Sequence, residues 1–448
     1  MLFDQALSYL LSLGHETLTI KLGLKNTETL LDALGNPQKQ FPAVQIAGTN
    51  GKGSVAVTLD SICRTAGIRR GLFTSPHLVS ITERIAIDGK PIAEPDFARL
   101  TLQVKTTAEA LVKQGELETL PTFFEHVTAI ALLAFRDAKV ELAILETGLG
   151  GRLDSTTAAG ADIVAITPIA MDHEEYLGQS LAEIAAEKAA IIRAGVTTVI
   201  APQEKEALQV ILSRCKAVGV HPRFVESAAQ GARVIEVSAG GQSVVTFATD
   251  RDTYENVALG LRGRHQIPNA ASAIALAEAL RERDFAISRA AIIDGIASVR
   301  HPGRLELWEG APRILFDGAH NPAAARALRE YLDEFVKEPI TMIFGAMRDK
   351  ALNEMAAALF PKADELILTS LDNPRAASLE GLMAAAPEAF DASRMHQASS
   401  VFEALRFARQ MTSAEGLICI TGSLYLVGAV QEILKRESRS VAQQPVAH

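Results

Sequence analysis

A short apolar run, Ala43-Val44-Gln45-Ile46, opens directly onto Ala47-Gly48-Thr49-Asn50-Gly51-Lys52-Gly53-Ser54, and an apolar-periodic segment from Val55 to Gly67 follows. The run has the texture of a buried strand and the segment that of a helix, so the glycine-rich stretch is a strand-to-helix turn. Such a turn aims free backbone N–H groups and the positive end of a helix dipole at one point, and a lysine adds a full charge. Glycine lets the backbone wrap closely round an oxyanion. The stretch reads as a nucleotide phosphate site, with Lys52 and Ser54 where a triphosphate and its Mg²⁺ need them. It departs from G-x-x-x-x-G-K-[ST], because Gly53 separates Lys52 from Ser54 and the glycine spacing is shorter. The bland alternative is an ordinary glycine-rich turn.

The chain continues in the same alternation. Strand patterns at Arg70 to Thr74, Val140 to Leu145, Asp162 to Thr167 and Thr197 to Ala201 are interleaved with helical ones at Glu94 to Lys113, Thr122 to Arg136 and Ser180 to Arg193. Two helices, Leu7 to Leu13 and Thr27 to Leu34, precede the turn. This predicts an α/β protein with a doubly wound, mostly parallel sheet, whose ligands bind at the carboxyl ends of the strands. That rule brings Gly48, Glu146 and His173 together. Val234 to Val237 and Val244 to Phe247 flank Gly240-Gly241 and read as a hairpin in a small antiparallel side sheet. An alanine-rich helix covers Ala270 to Arg281, and Val299 to Arg304 reads as a boundary. Beyond it strands at Ile314 to Phe316, Ile340 to Gly345, Leu366 to Thr369 and Leu417 to Thr421, with helices Pro322 to Phe335 and Leu424 to Leu434, predict a smaller, Rossmann-like C-terminal unit. The expected division is 1–298, 299–436 and a flexible tail, 437–448.

At 448 residues the chain can bury two full cores. Its net charge of −9 disfavours nucleic acid and anionic membrane as partners, so a nucleotide must be drawn in locally. The three cysteines, Cys63, Cys215 and Cys419, lack metal spacing and suit a reducing cytosol. No basic signal segment opens the chain, and no apolar run approaches the ~20 residues of a membrane span.

Several residues carry chemistry. Glu146 ends a strand just before the glycine-rich Thr147 to Arg152, where a carboxylate can hold Mg²⁺ or serve as a cap. His173 follows Asp172 after another strand and is either a ligand or a structural imidazole. Lys188 falls inside the apolar stripe Leu181, Ile184, Ala185, Ile191 and Ile192. An inward lysine is costly unless paired or neutral, and a neutral amine can act as a nucleophile or take up CO₂ as a carbamate. A snorkelling lysine is the alternative. Arg304 sits at the boundary, and Asp317 to Pro322 forms the first strand-to-helix turn beyond it, so both can touch a ligand held between two units.

These stretches together resemble a known family. Ala47 to Ser54 (AGTNGKGS), Ser75 to Leu78 (SPHL), Glu146 to Thr156 (ETGLGGRLDST), Asp172-His173, Glu187 to Ala189 (EKA), Arg264 to Gln266 with Asn269-Ala270, Pro302 to Arg304 and Asp317 to Pro322 (DGAHNP) are similar to those of folylpolyglutamate synthase/dihydrofolate synthase, in the Mur ligase superfamily. The resemblance spans Ile20 to Leu434. It implies an ATP-dependent amide ligase that adds L-glutamate to dihydropteroate or to the glutamate tail of reduced folates, as a cytoplasmic monomer.

The resemblance also implies site roles. Gly48, Thr49, Asn50, Gly51, Lys52, Gly53 and Ser54 would bind ATP phosphates, with Asn269, Arg304 and Asp317 as further ATP contacts and His320 as their companion. Ser75, Glu146 and His173 match Mg²⁺ ligands, and Lys188 a carbamate-bearing lysine. Phe123, Phe124, Glu125, Leu153, Asp154 and Ser155 resemble the pterin or folate site, with Leu22 to Lys25 as a second contact. Glu174-Glu175-Tyr176 is more acidic than the family pattern leads one to expect. The competing enzyme is a Mur ligase acting on a UDP-linked cell-wall precursor. The about 46 residues ahead of the loop are short for its usual extra domain. A non-enzymatic P-loop regulator is disfavoured by the glycine spacing and the metal-type residues.

Overall fold

The computed structural model describes residues 1–14, 23–225 and 231–442. The expected strands of the large sheet form and lie in parallel, because they are mostly apolar and helices cover both faces of the sheet. The central strand β1 (Ala43–Ala47) is flanked by β5 (Leu142–Glu146) and β6 (Ile163–Ile166). With β2 (Arg70–Phe73), β3 (Ile85–Ile87), β4 (Lys90–Pro91), β7 (Thr197–Ile200) and β8 (Arg223–Phe224) they form an eight-stranded sheet, ordered β4-β3-β2-β5-β1-β6-β7-β8. Only β3 runs against the other strands, pairing antiparallel with β2 on one side and β4 on the other. Chain order reverses on either side of β1, so the crevice opens where β1, β5 and β6 end. Val44 and Ile46 of β1 pack with Val55, Leu59 and Ile62 of the helix Lys52–Thr65. Ala43 packs on the other face, against the helix Phe123–Asp137.

The antiparallel side sheet has a third strand besides the hairpin: β9 (Ala232–Val237), β10 (Ser243–Ala248) and β11 (Thr253–Ala258). The C-terminal sheet contains β12 (Glu306–Trp308), β13 (Arg313–Phe316), β14 (Ile340–Phe344), β15 (Glu365–Thr369), β16 (Met395–Ala398) and β17 (Leu417–Thr421), ordered β12-β13-β17-β14-β15-β16 and parallel except at β12. Its own core holds Leu315, Leu328, Met342, Leu366 and Cys419.

Two boundaries, beside the site and in the last helix, differ from the sequence pattern. The helix expected over Ser180 to Arg193 runs only from Leu181 to Ala189, with Ser180 as its cap, so Ile191 and Ile192 are buried beyond its end. The tail expected from Glu437 is helical to Ala442, since the last helix meets neither Gly nor Pro there. Arg409 also holds the Glu437 carboxylate through hydrogen bonds of 3.1 and 2.8 Å. Leu22, in the stretch expected to give a second pterin contact, lies outside the described residues, as do residues 443–448.

The two α/β units meet along a keyed seam. Leu78, in the loop after β2, packs against the apolar cluster of the C-terminal unit that contains Val427 and Val430. A Cβ at Gly428 would stand 1.9 Å from the Leu78 carbonyl oxygen, so the last helix must present a bare backbone there.

Candidate active site

The turn after β1 is held in place by what lies behind it. Gly48 has φ +149°, and a Cβ there would meet Thr167 Oγ1 at 1.9 Å. Gly51 has φ +87°, and its Cβ would meet Asn269 Oδ1 at 2.4 Å. Gly53, the residue that breaks the usual motif, faces His301 Cε1 at 3.0 Å and Glu146 Oε1 at 3.4 Å from a built Cβ. Its small size lets the Glu146 carboxylate approach the helix start. Thr49 closes the turn on the loop after β6, donating to Ala170 O and accepting from Ala170 N, both at 3.1 Å.

Two lysines converge on this turn. Lys52 Nζ donates to Gly48 O at 3.1 Å and Thr49 O at 3.2 Å, and Lys188 Nζ donates to Gly48 O at 2.9 Å. Burial lowers the Lys52 pKa against the pull of Glu146 and Asp172. Burial, reinforced by the Lys52 charge, brings Lys188 down to about 7. Glu146 is pushed up by burial, with Lys52 opposing, and it accepts from the Ser75 backbone N–H at 3.1 Å. His173 has φ +54°, and burial keeps its imidazole neutral with a pKa of about 3. Its buried Nδ1 has no hydrogen-bond partner among the described residues.

Asp172 joins the two units. Its Oδ1 accepts from Lys350 Nζ at 2.6 Å, and its Oδ2 accepts from Asn321 Nδ2 at 3.2 Å. Burial alone would raise the carboxyl; the polar groups around it, with Lys350 in direct contact, outweigh burial and hold the group well below the usual carboxylate range. His173 and His320 are themselves held neutral by burial, at about 3 and about 4, so the full charge facing Asp172 is the Lys350 ammonium. Asn321 Nδ2 also donates to Asn50 Oδ1 at 3.0 Å. His320 Nδ1 donates to Gly318 O at 2.8 Å, which leaves Nε2 as the basic nitrogen, 3.9 Å from Asp172 Oδ2. Arg304 donates to Gly318 O at 3.3 Å, and buried Asp317 accepts from Leu305 N and Ala319 N, both at 3.0 Å.

One cavity of about 470 Å³ unites these groups, from Gly48 to Ser54 through Ser75, Glu146, His173 and Lys188 to Asn269, Arg304, Asp317 and His320. Another wall is Phe124 with Leu153, Asp154 and Ser155. Gly148 makes room for the Phe124 ring, since a Cβ would sit 2.4 Å from its Cζ. Phe123 is not among the lining residues. It is buried in the core with the Arg84 guanidinium 5.4 Å over its ring, because adjacent helix positions point about 100° apart. Glu125 lines the cavity, but its carboxylate is committed to Thr27 Oγ1 (3.0 Å) and the Thr122 N–H (2.7 Å). The Asp154 carboxylate is likewise taken by Leu149 N, Thr156 N and Thr156 Oγ1. Residues to which motif reading gave no role include Lys350, Asn321, His265 and His301. Asn321 and His265 lie inside quoted motifs and His301 beside one, whereas Lys350 carries no local signal.

A phosphate-binding turn at the switch point of one sheet, closed over by a second α/β unit, defines a ligase-type architecture, and the halves match separately. Residues 46–277 match the Mur ligase middle domain and residues 303–424 the Mur ligase, glutamate ligase domain. A dihydrofolate synthase/folylpolyglutamate synthase of Bacillus subtilis is 35% identical over 427 residues, covering 94% of this chain and 97% of the relative. Folylpolyglutamate synthase of Mycobacterium tuberculosis, solved complexed with ADP, superposes with a TM-score of 0.89 at 33% identity over 96% of this chain and 98% of its own. E. coli FolC, solved in complex with DHPP and ADP, gives 0.85 at 31% identity, covering 98% of this chain and 99% of its own. The chain belongs to the dihydrofolate synthase/folylpolyglutamate synthase family of ATP-dependent Mur ligases.

Proposed function

We infer that the protein uses ATP to join L-glutamate to dihydropteroate and to the glutamate tail of reduced folates, giving ADP and phosphate. The observation that carries this reading is the single cavity in which the two-lysine phosphate turn, the Phe124 wall and the C-terminal unit's Arg304, Asp317 and His320 face one another. A substrate carboxylate attacks the γ-phosphorus of ATP, and ADP leaves an acyl phosphate behind. Lys52 and the backbone N–H groups of the turn stabilise the charge spread over the moving phosphoryl group. The amine of L-glutamate then attacks the acyl carbon and phosphate departs. His320 Nε2 is the basic nitrogen that takes the proton the amine releases. The seam between the units keeps water from the acyl phosphate.

Among the described residues no three His, Cys, Asp or Glu side chains converge as a metal cluster. The Ser75 hydroxyl and the Glu146 carboxylate nevertheless offer the hard oxygen donors that suit Mg²⁺, and His173 adds a buried, neutral, unpartnered nitrogen beside them. When bound, the ion would neutralise phosphate charge. Lys188 fits a carbamate, because an amine with a pKa of about 7 is half deprotonated near neutral pH. The division at residues 298 and 299 follows the break between the side sheet's helices and β12. A monomer in the cytoplasm is part of the same reading. Nucleic acid and membrane are no part of this reading: net charge is −9, and no helix among the described residues is long and apolar enough to cross a membrane.

ADP release measured with dihydropteroate and with tetrahydrofolate, each with and without L-glutamate, tests the reading. Turnover that requires a UDP-linked sugar would overturn it. Arg304→Ala should lower kcat/KM about 100-fold in the same assay, through loss of a cation facing the phosphates. Full activity in that variant removes Arg304 from the site.

Lys188 also makes a pH prediction. Its folded pKa, about 7, lies below the ordinary 10.5, so between these values the unfolded chain holds the proton more tightly. Folding stability therefore rises with pH across that window, and the penalty is fully present below it. Thermal unfolding at pH 7 and pH 9 should show the rise in the wild type and a flatter response in Lys188→Ala. Lys188→Ala should also lose turnover and regain part of it with short carboxylates; no regain argues against the carbamate.

A further inference from the structure

Gln45 is the polar residue in the middle of β1, fully buried between β5 and β6. Its neighbours Val44 and Ile46 serve the apolar core, and a glutamine here gains nothing from burial unless its amide is used. The two N–H groups of the amide face three hydroxyls on one side. Gln45 Nε2 donates to Thr157 Oγ1 at 2.8 Å and Thr156 Oγ1 at 3.0 Å, with Thr147 Oγ1 at 3.4 Å. Among the described residues Gln45 Oε1 has no hydrogen-bond partner.

The protons of this network run in one direction. The Thr157 hydroxyl passes its proton on to Gly151 O at 2.7 Å, and the Thr156 hydroxyl to Asp154 Oδ1 at 2.5 Å. The Asp154 carboxylate also receives Leu149 N and Thr156 N at 2.9 and 3.0 Å. The Gln45 amino group is the source and Asp154 and Gly151 are the sinks, so the two threonines cannot reverse without stripping the loop of two bonds. Each link reinforces the next.

We propose that Gln45 is a positioning residue for the pterin side of the cavity: through Thr156 and Thr157 it fixes the shape of the Gly148–Ser155 loop against the sheet. It touches no substrate itself. This rests on the reading of that loop as the pterin wall, and on the same reading the phosphate turn is held independently, by Thr167 and Ala170. Loss of the Gln45 donor should therefore be felt by the pteroate and not by ATP.

Gln45→Met keeps the length of the side chain and removes the donor. The KM for dihydropteroate should rise about tenfold, with kcat and the KM for ATP within twofold of wild type. Gln45→Glu keeps the shape but offers an acceptor, so it should do more harm than Gln45→Met. If Gln45→Met does not fold, Thr157→Val carries the test, cutting only the Gly151 branch, and should show the same KM split, with Thr157→Ser restoring the wild-type KM. Parallel rises in both KM values, or no rise in either, overturn the proposal. Wild-type enzyme that turns over no pteroate or folate refutes the functional reading instead, which keeps the two failures apart.

Discussion

Lys52→Met should lower kcat by about 10³-fold or more while leaving the protein at least as stable as the wild type. The two halves of this expectation have the same origin. The Lys52 side chain is partly buried in the cavity wall, and burial lowers its pKa, which means the folded chain bears a cost for keeping it charged. Its hydrogen bonds go to Gly48 O and Thr49 O, carbonyls of the very turn that would receive phosphate. Methionine retains the stem that fills the space and discards the charge, so thermal unfolding should not fall. Phosphoryl transfer has no such substitute, because the charge on the moving group must be met by cations already in place. Steady-state ADP release and thermal unfolding on one preparation decide the matter. A variant that keeps its kcat would show that Lys52 serves only the turn, and one that loses both properties would show a structural role first.

Gly48→Ala should cost roughly 3 kcal/mol of folding stability and abolish turnover, a larger effect on the fold than any other alanine in the turn. The added methyl would stand 1.9 Å from Thr167 Oγ1 and 2.8 Å from Thr167 O, at φ +149°. Thr167 cannot retreat. It is fully buried, its N–H donates to Ala47 O at 2.8 Å, and Gln203 Nε2 donates to its carbonyl at 3.0 Å. The Gly48 carbonyl, which accepts from both Lys52 and Lys188, would have to move instead, and the phosphate site would move with it. Gly35→Ala is the control, since Gly35 has φ +82° with nothing within 4 Å of a built Cβ. That change should cost about 1 kcal/mol from backbone strain alone, with activity kept. Urea unfolding of the two variants separates steric collision from strain. A Gly48→Ala loss no larger than that of Gly35→Ala would show that the packing behind the turn yields.

Much of this site was legible in the sequence because its parts sit at strand ends, where an apolar run stops and a glycine or a polar residue begins. Gly48, Glu146 and His173 could be placed together from that rule alone, and the cavity contains all three. Lys188 stood out because an apolar stripe surrounds it, although the helix ends at Ala189 and the last two members of the stripe lie outside it. Other features depend on information that no local pattern holds. Lys350 reaches Asp172 across 178 positions of chain, through the docking of one unit on another. Phe123 and Phe124 are alike in sequence, and only the space left by Gly148 shows which ring faces the cavity. Glu125 and Asp154 look like ligand groups, yet their oxygens close a helix cap and a tight turn. The short strands β3, β4 and β12 have too few residues to show alternation, and β11 was missed because Glu255 and Asn256 break its apolar pattern.

The bare backbone at Gly428 has a consequence for protein engineering. The loop carrying Leu78 and the helix carrying Gly428 are 350 positions apart, and they fit because one side chain is missing. A chimaera that grafts a foreign C-terminal unit onto this N-terminal one can match every catalytic group and still fail to assemble. It needs glycine at the site facing Leu78, since a close-packed junction has no slack for a methyl group there. Compatibility between exchanged halves is written in that single position as much as in the chemistry of the cleft.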